Sequence, residues 1–493
     1  MPDPAESSFR HHWRAFFSGG VLSLTRLFTG FVRGKYVALV LGTTGVGFWS
    51  QASDLQILGI SIASLSMGVG IINRMGAIGP GHPDRERRLL STCLTSQAAV
   101  SVALLLGAVV FAVPLSHALF GGADVLERSQ ISSLDVLAVV FSVPLSVVAS
   151  GYLESVFFGV GRYDLYVRAS VWATVLGFVS TLIMIAVLKV PGAFWSIFAS
   201  SALLCTAFIV FVRRVRPLSH LFRFGFDWSE ANALVRFSIA MLVSGAFVPT
   251  ARLWVKSAVI GAYGIDALGL LQVPLAITAY YTPFLTSALW GRLHPRVTQV
   301  GACPEGRYEL TVALRLTATM AAAAIVAILF LKDVLVPLAY SRAFLPSTHL
   351  LPAQLLGDYC YFVALPFSVY ALGLSRLRVY LAAWLLYSGI GAAASVALLP
   401  AAGLVAVPLG YGLSAALGAI VSLVWLISRG EKGWPATVGI VLAGFLVVGA
   451  QSALAWYERF VVAQGALFVL TSLVAVLFLW RSRATPGAVS ATA

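Results

Sequence analysis

Residues 22–75 read LSLTRLFTGFVRGKYVALVLGTTGVGFWSQASDLQILGISIASLSMGVGIINRM. Two apolar stretches, each close to the ~20 residues that cross a bilayer as a helix, meet at a glycine-bearing turn between Gly42 and Gly47. They carry Arg26, Arg33, Lys35 and Asp54, side chains that lipid does not tolerate cheaply. The runs are continuous, not ten-residue alternations of apolar and polar positions, which favours helices over a barrel.

The same pattern continues along the chain. Apolar segments fall at about 18–41, 46–73, 89–114, 133–158, 168–188, 192–212, 236–261, 267–290, 312–337, 353–374, 377–399, 404–428, 434–456 and 460–480. Composition agrees. Of 493 residues, 59% are hydrophobic and 11% charged, with a mean hydropathy of +0.91. A soluble domain carries roughly 25% charged residues, and a soluble core of this apolar content would exceed what the chain can enclose. The expected fold is an all-α polytopic membrane protein of about 14 transmembrane helices.

The net charge of +14 would suggest nucleic acid in a soluble protein. Here it follows from topology. With the N-terminus inside, only Arg128, Lys189, Lys332, Arg342 and Arg459 fall outside, and Arg26, Arg33, Lys35, Arg252 and Lys256 fall within spans. The other 23 of the 33 lysines and arginines are then cytoplasmic, the bias expected of cytoplasmic loops. No nucleic-acid partner is needed. Cys93, Cys205, Cys303 and Cys360 are scattered, with neither zinc spacing nor a disulfide framework. The polar start of the chain has no small-residue cleavage site after a short apolar core, so it reads as a cytoplasmic lead-in.

The basic loop between the sixth and seventh spans divides the first twelve into two sets of six. The expected organisation is a cytoplasmic N-terminus (1–17), an N-lobe (18–212), an inter-lobe loop (213–235), a C-lobe (236–430), two further helices (431–482) and a cytoplasmic tail (483–493). Six is even, so any repeat would be related by an axis along the membrane normal. RGKYVALVLGTTGVG followed by Gln51, and ARLWVKSAVIGAYGIDALG followed by Gln272, support one loosely.

The ionisable residues inside spans are the candidate functional groups. Each costs about 2.5–3.5 kcal/mol on insertion scales. Arg26, Arg33 and Lys35 lie on the first span, and Arg252 and Lys256 on the seventh. Asp54, Glu154 and Asp358 lie on the second, fourth and tenth. Arg26 and Arg33 share a helical face about 10 Å apart in depth, as Arg252 and Lys256 do one turn apart. Cations exceed acids by two, so pairing cannot neutralise them all, and the surplus suggests a cavity that receives an anion. Internal pairing, for instance Arg33 with Asp54, and snorkelling of Lys35 and Lys256 are the plainer alternatives. Arg74, closing the second span, either guides an anionic headgroup or simply anchors the cytoplasmic end. The three acids are candidates for binding a coupling ion, a proton or sodium, unless each serves a neighbouring arginine. Trp49, Trp195, Trp254, Trp290, Tyr280 and Tyr281 read first as a membrane-interface belt. Pro249, just before Arg252, and the Gly30/Gly34 pair offer a kink and a close helix contact.

Within 22–75, the Lys35–Gly42 run, Gly45-Val46-Gly47, Gln51 and the Ser66–Gly70 segment before Arg74 resemble the opening of Wzx-type O-antigen and polysaccharide flippases, of the multidrug/oligosaccharidyl-lipid/polysaccharide exporter superfamily. MLVSGAFVPTARLWVKSAVIGAYG (241–264) and SALWGRLHPRV (287–297) are similar to the family's seventh and eighth helices. The resemblance implies two six-helix lobes around a central cationic cavity. It implies transfer of undecaprenyl-diphosphate-linked oligosaccharide across the bacterial inner membrane, with Arg26, Arg33, Lys35, Arg252 and Lys256 facing the diphosphate and Arg74 at the entry. It also implies a polysaccharide polymerase machinery as partner, no cofactor and no enzymatic activity. Helices thirteen and fourteen depart from the usual twelve and match the lipid II flippase branch.

Three rivals accompany this reading. A lipid II flippase would carry a related substrate. A multidrug exporter binds cationic drugs and favours acidic cavities. A membrane-embedded polymerase or ligase usually carries a sizeable outer loop with catalytic groups, and the outer loops here, near 115–132 and 338–352, are short. No Walker-type GxxxxGK[ST] motif is present.

Overall fold

The computed structural model describes residues 4–78, 82–429, 434–457 and 461–483. Apart from Arg483, the expected tail 483–493 lies outside the described residues. The described residues are helical throughout, without a strand, and each of the fourteen apolar stretches is helical over most of its length. Nine of the described helices are long and apolar enough to cross a membrane, and two of these run for 60 and 52 residues, Met241–Val300 and Leu377–Ser428. A straight 60-residue helix would extend about 90 Å, three times the ~30 Å hydrocarbon core, so such stretches must turn back.

The turning points are glycines. The first helix, α1 (Pro4–Ala63), is broken at Gly42, with φ of 66°. The guanidinium of Arg33 lies 5.2 Å from the ring centroid of Trp49. Along an unbroken helix the two would be about 24 Å apart, so the chain folds back at Gly42. Only glycine adopts this backbone freely, and no neighbour crowds it. After α2 (Gly68–Ile78) come α3 (Pro83–Val110), α4 (Ala112–Phe120), α5 (Ala123–Arg128) and α6 (Ser133–Ser146). Pro144 removes a backbone donor near the end of α6, and a π-helical turn, Val147–Leu153, leads into α7 (Glu154–Gly159). Then follow α8 (Tyr163–Leu188), α9 (Val190–Val212), α10 (Leu218–Leu221) and α11 (Trp228–Ala288), the last broken at Gly264 with φ of 82°. The chain closes with α12 (His294–Val300), α13 (Pro304–Ala339), α14 (Leu351–Gly373), α15 (Leu377–Ala402), α16 (Ala406–Ser428), α17 (Trp434–Tyr457) and α18 (Val461–Arg483).

By packing, the chain divides into Met1–Gly269 and Leu270–Ala493. The basic loop 213–235 lies inside the first unit, together with the part of α11 that carries Arg252 and Lys256. The first unit has an aromatic core: Phe48, Phe120 and Phe194 stand 5.4–6.1 Å apart, ring to ring. Phe157 meets Phe208 edge-on. Several polar groups here find partners across helices. Gln56 reaches Ser142 and Ser201, and Asp135 accepts from Trp195 Nε1 at 2.8 Å while boxing the start of α6 with Ser132. The basic loop is tied down where Arg216 grips Glu86 at 3.1 and 3.3 Å. Asp227 opens α11, accepting from the Ser229 hydroxyl and the N–H groups of Ser229 and Glu230. Those bonds, the Ser229 hydroxyl foremost, hold its carboxyl below the usual range.

The two glycine turns meet. Thr43 and Thr44 donate to Asp266 at 2.7 and 2.6 Å. A Cβ on Gly47 would stand 2.4 Å from the Ile265 carbonyl oxygen, and one on Gly269 would stand 2.0 Å from that of Thr43. Gly42, Thr43, Thr44 and Gly47 precede Gly264, Ile265, Asp266 and Gly269 by the same 222 residues. The contact is therefore reciprocal: each turn presents a carbonyl to the glycine that follows the other.

In the second unit α14 is the most enclosed helix. Close approaches need small residues, as in membrane bundles generally: Gly357 of α14 faces Gly412 of α16, and Gly410 faces the Ser395 backbone of α15. Tyr359 donates to the Val441 carbonyl at 2.9 Å, joining α14 to α17, and Phe330 stacks on Phe468 at 5.3 Å, joining α13 to α18.

Gly269→Leu should collide with backbone, not with a yielding side chain, and overpacking of this kind costs about 1–3 kcal/mol. Thermal unfolding of the purified protein should show a Tm several degrees lower. Gly439→Ala, at a helical glycine with open space around it, should leave Tm unchanged.

Candidate functional site

The site begins with one buried carboxylate. Asp54, on the second arm of α1, is 5% exposed. Lys256 Nζ lies 2.6 Å from its Oδ2, and Arg252 Nη1 lies 3.6 Å from its Oδ1. Lys256 is itself buried and donates to Ser50 Oγ at 2.5 Å. The two cations stand one turn apart on α11, so a single carboxylate faces both. Their exposure differs. The Lys256 side chain is 7% exposed and the Arg252 side chain 50%, so Lys256 is spent on Asp54 and Ser50 while much of the Arg252 guanidinium stays open. Close by, Gln51 donates to Ser257 Oγ and to the Leu119 carbonyl, both at 3.0 Å.

On the first arm of α1, half-buried Arg33 lies over Trp49. A ring face attracts a guanidinium without cancelling its charge. Lys35, two residues on, is half-buried and interacts within the structure. Arg26 is exposed and lies near enough to Glu154 and Tyr166 to act on both electrostatically. Arg74 ion-pairs with Glu230, which Arg85 also approaches at 3.8 Å. Asp358 belongs to the second unit and is fully buried. Its Oδ2 accepts from Thr278 at 2.6 Å and Tyr281 at 2.5 Å, and its Oδ1 from Gln354 at 3.1 Å.

The structure thus brings Asp54 together with Arg252 and Lys256, and Arg26 with Glu154, and leaves Asp358 among neutral donors. The pairing of Arg33 with Asp54 considered from sequence is replaced by Arg33 on Trp49, and Lys256 is buried instead of snorkelling. Trp49, Trp195 and Tyr281, read as belt residues, prove to be partners of charged groups. Ser50, Tyr166, Thr278, Gln354 and Asp266 were not singled out from sequence. Only Asp266 carried a signal, its fixed offset from Thr44. Among the described residues no group of three His, Cys, Asp or Glu side chains is arranged to hold a metal ion.

No profile of a known protein family matches the chain. Curated relatives exist: the chain is 23% identical over 366 residues to the lipid III flippase of Escherichia coli (strain K12) and to that of Shigella flexneri, covering 73% of this chain and 85% of each relative. Among solved structures, the lipid II flippase MurJ in an inward closed conformation superposes with a TM-score of 0.72 at 13% identity, over 95% of this chain and 99% of that one. An inward-facing multidrug resistance MATE family transporter of the MOP superfamily superposes with a TM-score of 0.65 at 16% identity, over 84% and 96%. The all-helical fold of this chain is the one shared by MurJ and the MATE transporters.

Proposed function

We propose that the chain is a flippase that moves an undecaprenyl-diphosphate-linked oligosaccharide from the cytoplasmic to the periplasmic leaflet of a bacterial inner membrane by alternating access. One observation carries the reading. In the first unit five cations, Arg26, Arg33, Lys35, Arg252 and Lys256, share the spans with the carboxylates of Asp54 and Glu154. A surplus of positive charge on span-forming helices is costly unless it meets an anion or water, and a diphosphate is such an anion. The lipid III flippases among the relatives support the substrate class.

In this mechanism helices of residues 18–212 and 236–430 form two lobes around a cationic cavity. The diphosphate enters past Arg74, and the polyprenyl chain stays in lipid. Arg33 and the open face of Arg252 take the phosphate oxygens, because a guanidinium offers a bidentate fork. Lys256 keeps Asp54 in place, and Asp54 in turn holds Arg252 weakly enough for the substrate to compete. Carrying roughly two negative charges outward across 100 mV releases about 4.6 kcal/mol, so the potential favours export without an ATP site. Polysaccharide polymerase machinery would consume the delivered glycan. Asp358 is the proposed coupling group: Asp54 and Glu154 each face a cation, whereas Asp358 meets hydroxyls and an amide, a setting in which it can take up and release a proton or small cation. A lipid II substrate is the second reading, favoured by the fourteen apolar stretches and the fold shared with MurJ.

Proteoliposomes loaded with fluorescent undecaprenyl-diphosphate oligosaccharide test the assignment. Arg252→Ala and Arg33→Ala should each lower the flipping rate at least tenfold with an unchanged Tm, and lipid II should flip more slowly than the oligosaccharide. Undiminished flipping by both variants sinks the cationic site, and a preference for lipid II selects the second reading. Lys256→Met should act differently, because it strands Asp54 and removing one partner of a buried pair costs about 3–5 kcal/mol. Its Tm should fall, and adding Asp54→Asn should restore most of it. Asp358→Asn should keep the fold and a basal rate but lose the response of flipping to an imposed proton or sodium gradient.

A further inference from the structure

The second unit holds a groove of about 480 Å³ between α14, α15 and α16. Tyr380, Trp384 and Tyr387 form a stripe along one face of α15, and Trp425 and Leu417 line it from α16. From Arg376 to Ile390, both of which line it, α15 rises about 21 Å. That is about two-thirds of the ~30 Å hydrocarbon core, enough for the acyl chain of one leaflet together with its headgroup. The two ends differ. At one, the lining runs deepest, at Tyr361, Ile390 and Ser414. At the other, Arg376 lines the mouth, and the Arg429 guanidinium lies 5.8 Å over the ring of Trp425. Arg376 and Arg429 belong to the side that the lysine and arginine bias makes cytoplasmic.

We propose that this groove holds one anionic phospholipid of the cytoplasmic leaflet, its phosphate on Arg376 and Arg429 and one acyl chain along the aromatic stripe. Charge complementarity selects the head: basic pockets between spans on the cytoplasmic side take anionic headgroups, and guanidinium groups fork to phosphate oxygens. Depth selects the tail, since the groove ends where an acyl chain ends and a polyprenyl chain would continue. The lining selects against a glycan, because its hydroxyls are confined to Ser368, Ser414, Ser422 and the tyrosines. The site is independent of the transport reading and stands or falls by itself.

Trp384 and Trp425 report occupancy. Purified full-length protein in detergent is titrated with phosphatidylglycerol carrying a brominated acyl chain, which quenches tryptophan on contact. Saturable quenching is expected, lost mostly in Trp384→Phe/Trp425→Phe, and at least tenfold weaker in Arg376→Ala/Arg429→Ala and with brominated phosphatidylcholine. Gly418→Phe, whose side chain would enter beside Ala364, should abolish it without lowering Tm. If the double arginine variant unfolds, Arg429→Ala alone supplies the charge test. Equal quenching by phosphatidylcholine, or quenching indifferent to these substitutions, overturns the proposal. So does undecaprenyl phosphate displacing phosphatidylglycerol at lower concentration, which would assign the groove to the substrate lipid.

Discussion

An ammonium group buried in a protein made for lipid is tolerable only beside a fixed negative partner, and the first unit is organised around that requirement. Lys256 reaches Asp54 at 2.6 Å and Ser50 at 2.5 Å. The partners lie some two hundred residues apart in sequence, on the second arm of α1 and the middle of α11. Their pairing therefore sets the register of the two helices against each other. It also decides the state of Arg252, one turn away, which receives only the remote oxygen of the same carboxylate. A single acid thus makes one cation structural and leaves another half exposed.

The register is held a second time by the glycine turns. Each turn needs a left-handed residue to reverse the chain, and each needs a second glycine so that the opposite carbonyl can approach. Asp266 adds a polar bond from one turn to Thr43 and Thr44 of the other. Because equivalent positions recur at one constant offset, the contact has the exchange symmetry of a two-fold dimer built into one chain. Ion pair and turn contact join the same two helices at different points along them. A shift that preserved one would break the other.

The second unit solves the problem of buried charge differently. Asp358 has hydroxyl and amide donors around it, Thr278, Tyr281 and Gln354, and Tyr281 also packs against Phe362. Satisfying a carboxyl with neutral donors keeps a buried polar network intact without committing a cation to it. The two units therefore use carboxylates in two ways, one to hold positive charge in place and one to gather neutral hydroxyl and amide donors.

Much of this was legible before any coordinates. That the chain is built of apolar, span-length helices follows from hydropathy, because bilayer thickness and the cost of buried charge act locally on the chain. The residues that had to be functional or paired were legible for the same reason: Arg26, Arg33, Lys35, Arg252, Lys256, Asp54, Glu154 and Asp358 stand out by expense alone. Their partners were not. Asp54 serves Lys256 and Arg252 instead of Arg33, and Trp49 lies under Arg33 instead of in an interfacial belt, because both arrangements depend on where the chain reverses at Gly42 and how α11 packs against it. Hydropathy reports the solvent each residue must face. Which charge meets which across helices is decided by rotation and register, and those quantities exist only once the helices are packed.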